Sequence, residues 1–318
     1  MRIGLIDVDG HNYPNLPLMK LSAWYKQQGD SVEWYDPLFH TSGKPFDRVY
    51  MSKVFSFTPH FTYGVNAHEV VVGGTGYAIR MESGREVYDK EADRDLPSEI
   101  EHIYPDYSIY PEMTENCSYG FLTRGCPRGC DFCHVATKEG RKSYKVTDLS
   151  EFWRGQKKIE LLDPNILACK DWQDLLGQLA DSKASVNFNQ GLDIRLMTEE
   201  KADMLNRIRI RAIHFAWDKY EDKKQIQPQF KEFRKKSTIH PHSLQVYVLC
   251  GDREQRVLPE DLERIYWLRD NGYAPYVMLY NKDSLRRGHE LRKLQRWVNN
   301  RIIFWSCPTF EEYQKGGR

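Results

Sequence analysis

The stretch that decides the reading is Cys126-Pro127-Arg128-Gly129-Cys130-Asp131-Phe132-Cys133. Three thiols fall within eight residues at the spacing C-x3-C-x2-C, on a segment punctuated by Gly125, Pro127 and Gly129. Three soft ligands so close together meet on one iron–sulfur cluster only if the backbone curls into a loop. Gly129 admits positive φ, and Pro127 fixes φ while removing a donor. No fourth cysteine follows at matching spacing. A four-iron cube held by these thiolates alone would keep one iron open, and that vacancy makes the stretch read as catalytic.

Two other chemistries compete for the same residues. A structural zinc site needs four nitrogen or sulfur ligands, usually as two paired knuckles. His134 adjoins Cys133 too closely for both to serve one tetrahedral ion, although Cys117 offers a fourth thiolate. A redox C-x-x-C pair at Cys130 and Cys133 would leave Cys126 unexplained.

Working outward, 318 residues make one large or two ordinary domains, and 40% hydrophobic with 13% aromatic residues supply a sizeable core. Forty-six basic against 45 acidic side chains leave a net charge of +1. No global field then points to long nucleic acid or a lipid surface, while a small nucleobase substrate stays open. No window approaches 18 uninterrupted apolar residues, and the N-terminus shows no basic-then-apolar leader. A cytoplasmic protein is expected. Its seven cysteines then read as metal ligands or inert thiols, with Cys117, Cys169, Cys250 and Cys307 as small hydrophobes.

Before the thiols, Ile3–Val8, Ser31–Tyr35, Arg48–Met51 and Glu69–Val72 read as strands, and Asn15–Gln28 as a helix stopped by Gly29. This predicts a small Rossmann-like parallel α/β domain over 1–79. Val72-Gly73-Gly74-Thr75-Gly76-Tyr77 matches no dinucleotide or P-loop fingerprint and is expected to be a tight turn at a sheet edge. Residues 80–115, charged and carrying Pro97, Pro105 and Pro111, read as a surface linker.

After the thiols, strand–helix units repeat. Strands are expected at Lys158–Leu162, Ser185–Phe188, Ala212–Ala216, Gln245–Leu249, Tyr276–Leu279 and Ile302–Trp305. Helices fall at Trp172–Leu179, Thr198–Arg207, Pro259–Asn271 and about Arg287–Asn299. The fold class is α/β, a partial (β/α)6 TIM-like barrel over 116–318 behind the N-terminal domain. Polar residues recur where each strand would end: Asp163 and Asn165, Gln190 and Asp193, Asp218, Asp252, Asn281. Ligands bind at such carboxyl ends, so their recurrence counts for more than any one of them.

The thiol stretch resembles the hallmark of the radical S-adenosylmethionine superfamily, C-x3-C-x-φ-C, with Phe132 as the aromatic before the last cysteine. A first barrel strand at about Tyr119–Thr123 would lead into it. The resemblance implies that Cys126, Cys130 and Cys133 hold a 4Fe–4S cluster. S-adenosylmethionine would chelate the open iron, and one-electron cleavage would yield a 5′-deoxyadenosyl radical that abstracts hydrogen from a small-molecule substrate. It also implies an external one-electron donor of flavodoxin or ferredoxin type.

Asn187–Arg195 is similar to the third-strand segment of the subgroup, which makes Gln190, Asp193 and Arg195 cofactor-binding candidates. The N-terminal domain is similar to that of cobalamin-binding members. However, D-x-H-x-x-G fails at Pro14 after Asp9-Gly10-His11, so cobalamin is not expected. Reused as a lid, that domain would bring Asp9, His11 and Asn15 to the substrate, with helix capping the plainer role for Asn15.

The layout further resembles queuine lyases, compact enzymes that release a 7-deazaguanine base. Asp193 and Asp218 would bind a diol or amine, and Phe215, Trp217 and Tyr280 would stack on the deazapurine, although a core position is the plainer role for such aromatics. A methyltransferase or isomerase on another metabolite is the alternative within the superfamily. A non-catalytic iron–sulfur sensor or electron carrier is the alternative outside it.

Overall fold

The computed structural model describes residues 1–82 and 85–316. It begins with β1 (Arg2–Asp7), whose residues after Arg2 are all buried. That is the signature of a central strand in a parallel sheet covered on both faces. Strands β2 (Ser31–Trp34), β3 (Phe46–Ser52) and β4 (Ala67–Gly73) complete a parallel sheet in the order β2-β1-β3-β4. Ile3 and Leu5 pack with Leu18, Leu21 and Tyr25 of α1 (Leu16–Gln27). Ile6, on the alternate face, packs with Tyr35, Phe46, Val49 and Met51. The period of two along β1 therefore divides its side chains between two cores.

Two one-turn helices, α2 (Pro37–His40) and α3 (Thr75–Ala78), flank β3 and β4 in sequence. The segment expected to be a linker carries structure of its own. It forms an antiparallel hairpin of β5 (Ile79–Glu82) and β6 (Arg85–Tyr88), then α4 (Ser98–Glu101) and α5 (Pro111–Thr114). Ile100 joins the α1 core, Asp106 accepts from Ser22 and Lys26 at 2.6 Å each, and Tyr110 donates to Asp7 at 2.7 Å. These anchors have no period, so composition conceals them.

β7 (Cys117–Gly120) is followed by β8 (Thr123–Arg124), α6 (Val135–Lys138), β9 (Tyr144–Lys145) and β10 (Lys158–Leu161). β7 neighbours β10, and β8 pairs antiparallel with β9. Backbone proximity divides the chain into two units, Met1–Glu160 and Leu161–Arg318.

In the second unit α7 (Trp172–Ser182), β11 (Ser185–Leu192), α8 (Glu199–Asn206), β12 (Ile210–Ala216), α9 (Lys223–Lys236), β13 (Leu244–Cys250), α10 (Pro259–Asp270) and β14 (Ala274–Leu279) alternate. Strands β11 to β14 lie parallel in chain order. One face is fully buried: Ile213 and Phe215 of β12, Val246 and Val248 of β13, Val277 of β14. Phe215 meets Phe230 and Phe233 of α9 edge-on.

Helices α11 (Glu290–Asn299), α12 (Arg301–Ser306) and α13 (Phe310–Gly316) close the chain. Ile302–Trp305 is thus helical, not a strand. The Asn300 side chain accepts from Ile303 N and caps the turn, overriding the β-preference of its branched and aromatic residues. Among the described residues no helix is long and apolar enough to cross a membrane.

Candidate functional site

The thiol loop is built from its neck upward. β8 and β9 pair at only two positions, Thr123 with Lys145 and Arg124 with Tyr144. Beyond them Cys126 N donates to Gly140 O at 3.1 Å. The Glu139 carboxylate accepts from Gly125 N at 2.9 Å and from the Arg124 guanidinium at 2.8 Å. That guanidinium sits 3.4 Å from the centroid of the Phe121 ring. Sequence reasoning missed both Glu139 and Arg124, because a charge at a loop edge carries no motif.

Within the loop, Cys126 and Cys130 are half-buried, Cys133 is exposed, and none is in a disulfide. Cys133 N donates to Cys130 O at 3.0 Å, turning the backbone between the last two thiols. Phe132 stands 38% exposed beside them, a large apolar surface facing outward. His134 is engaged elsewhere: its Nε2 lies 3.3 Å from the Glu86 carboxylate.

Among the described residues no three His, Cys, Asp or Glu side chains converge on the shell of a single ion. The loop carries three soft thiol donors, the ligand type an iron–sulfur cluster takes.

The same unit resolves the N-terminal candidates. Asp9 ties down the 54–58 loop, accepting from Val54 N and Thr58 Oγ1 at 2.6 Å each. Asn15 is buried, caps α1 at Leu18 N and exchanges hydrogen bonds with Ser52, so capping is its visible role. His11 is exposed at φ 61°, its ring 4.1 Å from that of Trp34. Gly74 lies at φ +98°, and a Cβ there would meet Lys53 O at 2.4 Å. This glycine turn admits the chain's own backbone at the edge strand β4, the tight turn expected of it.

In the second unit Asp163 and Asn165 are buried just past β10, and Gln190 is exposed near the end of β11. Asp193 and Arg195 come together, Nε to Oδ1 at 2.6 Å, and Arg195 also reaches Asp222 at 2.6 Å. Arg195 is therefore already held by two carboxylates through Nε and Nη1. Asp222 was missed because it lies one helix further along the chain.

Asp218 follows β12. Burial pushes its carboxyl up to about 6, against the opposing pull of Arg264 and Arg195 and with a further push from Asp252. Arg264, 1% exposed, donates to the carbonyls of Trp217, Asp218 and Leu249 and to Asp261, fixing two strand ends.

Of the aromatics expected to stack on a ligand, Phe215 and Trp217 lie fully in the core, and Tyr280 alone is half-buried. The rings on the opposite face of the sheet sit one residue away, at His214, Tyr247 and Tyr276. His214 and Tyr247 are parallel with centroids 5.0 Å apart, and His214 Nδ1 lies 2.7 Å from Phe188 O. Strict alternation in β12 was the signal that would have identified this face.

No protein-family model matches the chain, and no curated protein matches it. Two solved structures with a similar fold are of the radical S-adenosylmethionine methyltransferase TsrM from Kitasatospora setae. One has cobalamin and a 4Fe–4S cluster bound, the other tryptophan substrate and the analogue aza-SAM. Their TM-scores are 0.59 and 0.58 at 12% identity, over 87% of this chain and 72% of each of theirs. The expectation that set cobalamin aside finds no support here, since one of these structures holds it. The chain thus shares its fold, across most of its length, with a radical S-adenosylmethionine methyltransferase.

Proposed function

We propose that the chain is a radical S-adenosylmethionine enzyme acting on a small molecule, with Cys126, Cys130 and Cys133 as the ligands of a 4Fe–4S cluster. The observation that carries this reading is the thiol loop itself, C-x3-C-x-F-C, closed at its neck and followed by parallel strand–helix units. A bound cluster would supply the electron that cleaves S-adenosylmethionine, chemistry the protein orients and shields from water.

The chain's residues do the remainder. Asp163, Asn165, Gln190 and Asp193 lie at or just past strand ends, where α/β sheets bind their ligands. Arg195, bridged between Asp193 and Asp222, holds the Asp193 carboxylate in place, and that carboxylate is the group proposed for ribose hydroxyls. Asp218, titrating near pH 6, is suited to pass a proton to a leaving amine or alkoxide. A partial (β/α)6 barrel from 116 onward and a flavodoxin- or ferredoxin-type donor belong to the same proposal.

Methyl transfer is the reaction favoured by the fold shared with TsrM. Release of a 7-deazaguanine base from queuine rests on the layout alone and keeps only Tyr280 of its three stacking aromatics. The test is anaerobic reconstitution followed by electron paramagnetic resonance of the reduced protein. Added S-adenosylmethionine should shift the cluster's g-values; an unchanged spectrum would point to a sensor or electron carrier. Mass spectrometry after incubation with queuine or with tryptophan, with and without cobalamin, then distinguishes a released base from a methylated product.

A further inference from the structure

We propose that Glu139 is the positioning residue that gives the thiol loop its cluster-ready shape before any cluster binds. The inference rests on the cluster reading above and goes beyond it in naming what holds the loop.

Two-position pairing between β8 and β9 cannot by itself close the 125–143 segment, since short two-stranded ladders are marginal in water. One carboxylate supplies the missing closure. Its two oxygens take separate donors: Gly125 N, from the residue immediately before Cys126, and the guanidinium of Arg124 on β8. The Glu139 side chain is largely shielded from water, which strengthens both charge-assisted bonds. Gly140 O, one residue on, receives Cys126 N. Entry to and exit from the loop are thus fastened through consecutive residues 139 and 140.

The opposite side of the same turn is fastened as well. Lys138, at the end of α6, pairs with Asp93 at 2.8 Å and donates to Thr75 Oγ1. A four-residue helix has no stability of its own, so α6 stands because these contacts hold it. Glu139 is consequently anchored in place, and its carboxylate can impose a direction on Cys126. The geometry fits a ligand loop arranged in advance: groups that orient a metal's ligands are worth about 10–100-fold in metal affinity.

Hydrogen exchange on the cluster-free full-length protein tests this without reference to turnover. The amides of Gly125 and Cys126 should be protected in the parent protein and exchange at least tenfold faster in Glu139→Ala. Reconstituted iron per chain should fall at least threefold in the same variant, with a broadened resonance signal. Glu139→Gln, which keeps one acceptor oxygen, should fall between the two and guards against a variant that fails to fold.

Wild-type iron loading and an unaltered spectrum in Glu139→Ala would overturn the proposal, even with a lowered melting temperature. If the parent protein binds no iron, the cluster reading fails and exchange alone decides: protection lost in Glu139→Ala keeps the neck, unprotected amides in the parent remove it.

Discussion

Gly125 is where the chemistry of single residues is most constrained. Its φ is +78°, and a Cβ would stand 2.2 Å from Lys142 O, a backbone atom that cannot swing aside. Gly125→Ala should cost more than about 2 kcal/mol and abolish iron uptake, read by thermal melting and iron analysis. A variant that melts and loads like the parent would contradict the neck as described. Asp218 gives a second prediction with a definite sign. Burial raises its carboxyl to about 6, so between roughly pH 4 and 6 the folded state binds more protons than the unfolded chain. Stability from this group falls as pH rises through that window. Relative to Asp218→Asn, the parent should lose on the order of 3 kcal/mol from pH 4 to 7 in denaturant titrations; a constant difference between the two would refute the burial. The cysteines and Phe132 were picked out as candidates because their pattern is local in sequence. Glu139, Asp222 and Arg264 were not, because each acts through a partner that only the fold brings near.

Among the elements, β12 was found as a strand, and Phe215 and Trp217 take the core positions that were the plainer reading of their rings. Stacking on a ligand would have needed the opposite face, since Phe215 lies on the helix-covered side and a one-residue shift reverses every side chain of a strand. The consequence is measurable. Phe215→Ala should destabilise by about 3–5 kcal/mol, leaving a cavity among Phe230, Phe233 and Tyr273. Tyr276→Ala, on a ring 38% exposed, should cost less than about 1 kcal/mol. Equal losses in equilibrium unfolding would show that the faces are wrongly assigned. Helix α9 escaped the sequence because its apolar positions, Ile226, Phe230 and Phe233, are sparse among charges and interrupted by Pro228. The short run Ile302–Trp305 shows the reverse error, where propensity spoke for a strand and the Asn300 cap decided for a helix.

For the whole molecule, strand–helix order was enough to give parallel α/β architecture, because parallel neighbours need a crossover connection, usually a helix, between them. What it did not give was the extent of the first unit, which runs through the thiol loop to Glu160. Residues 80–115 help explain this: Ile100, Asp106 and Tyr110 bind back onto α1 and β1, and Asp93 reaches forward to Lys138. Charged, unpatterned sequence hides such single-residue anchors. The thiol loop and the N-terminal sheet are accordingly parts of one folded unit, built by long-range contacts that composition does not register. The central claim is that this loop holds a cluster able to cleave S-adenosylmethionine, and 5′-deoxyadenosine formation measures it most directly. Reconstituted, reduced protein incubated anaerobically with S-adenosylmethionine should release 5′-deoxyadenosine, and Cys130→Ala should release none. Iron-loaded parent protein that yields no more 5′-deoxyadenosine than Cys130→Ala would contradict the account.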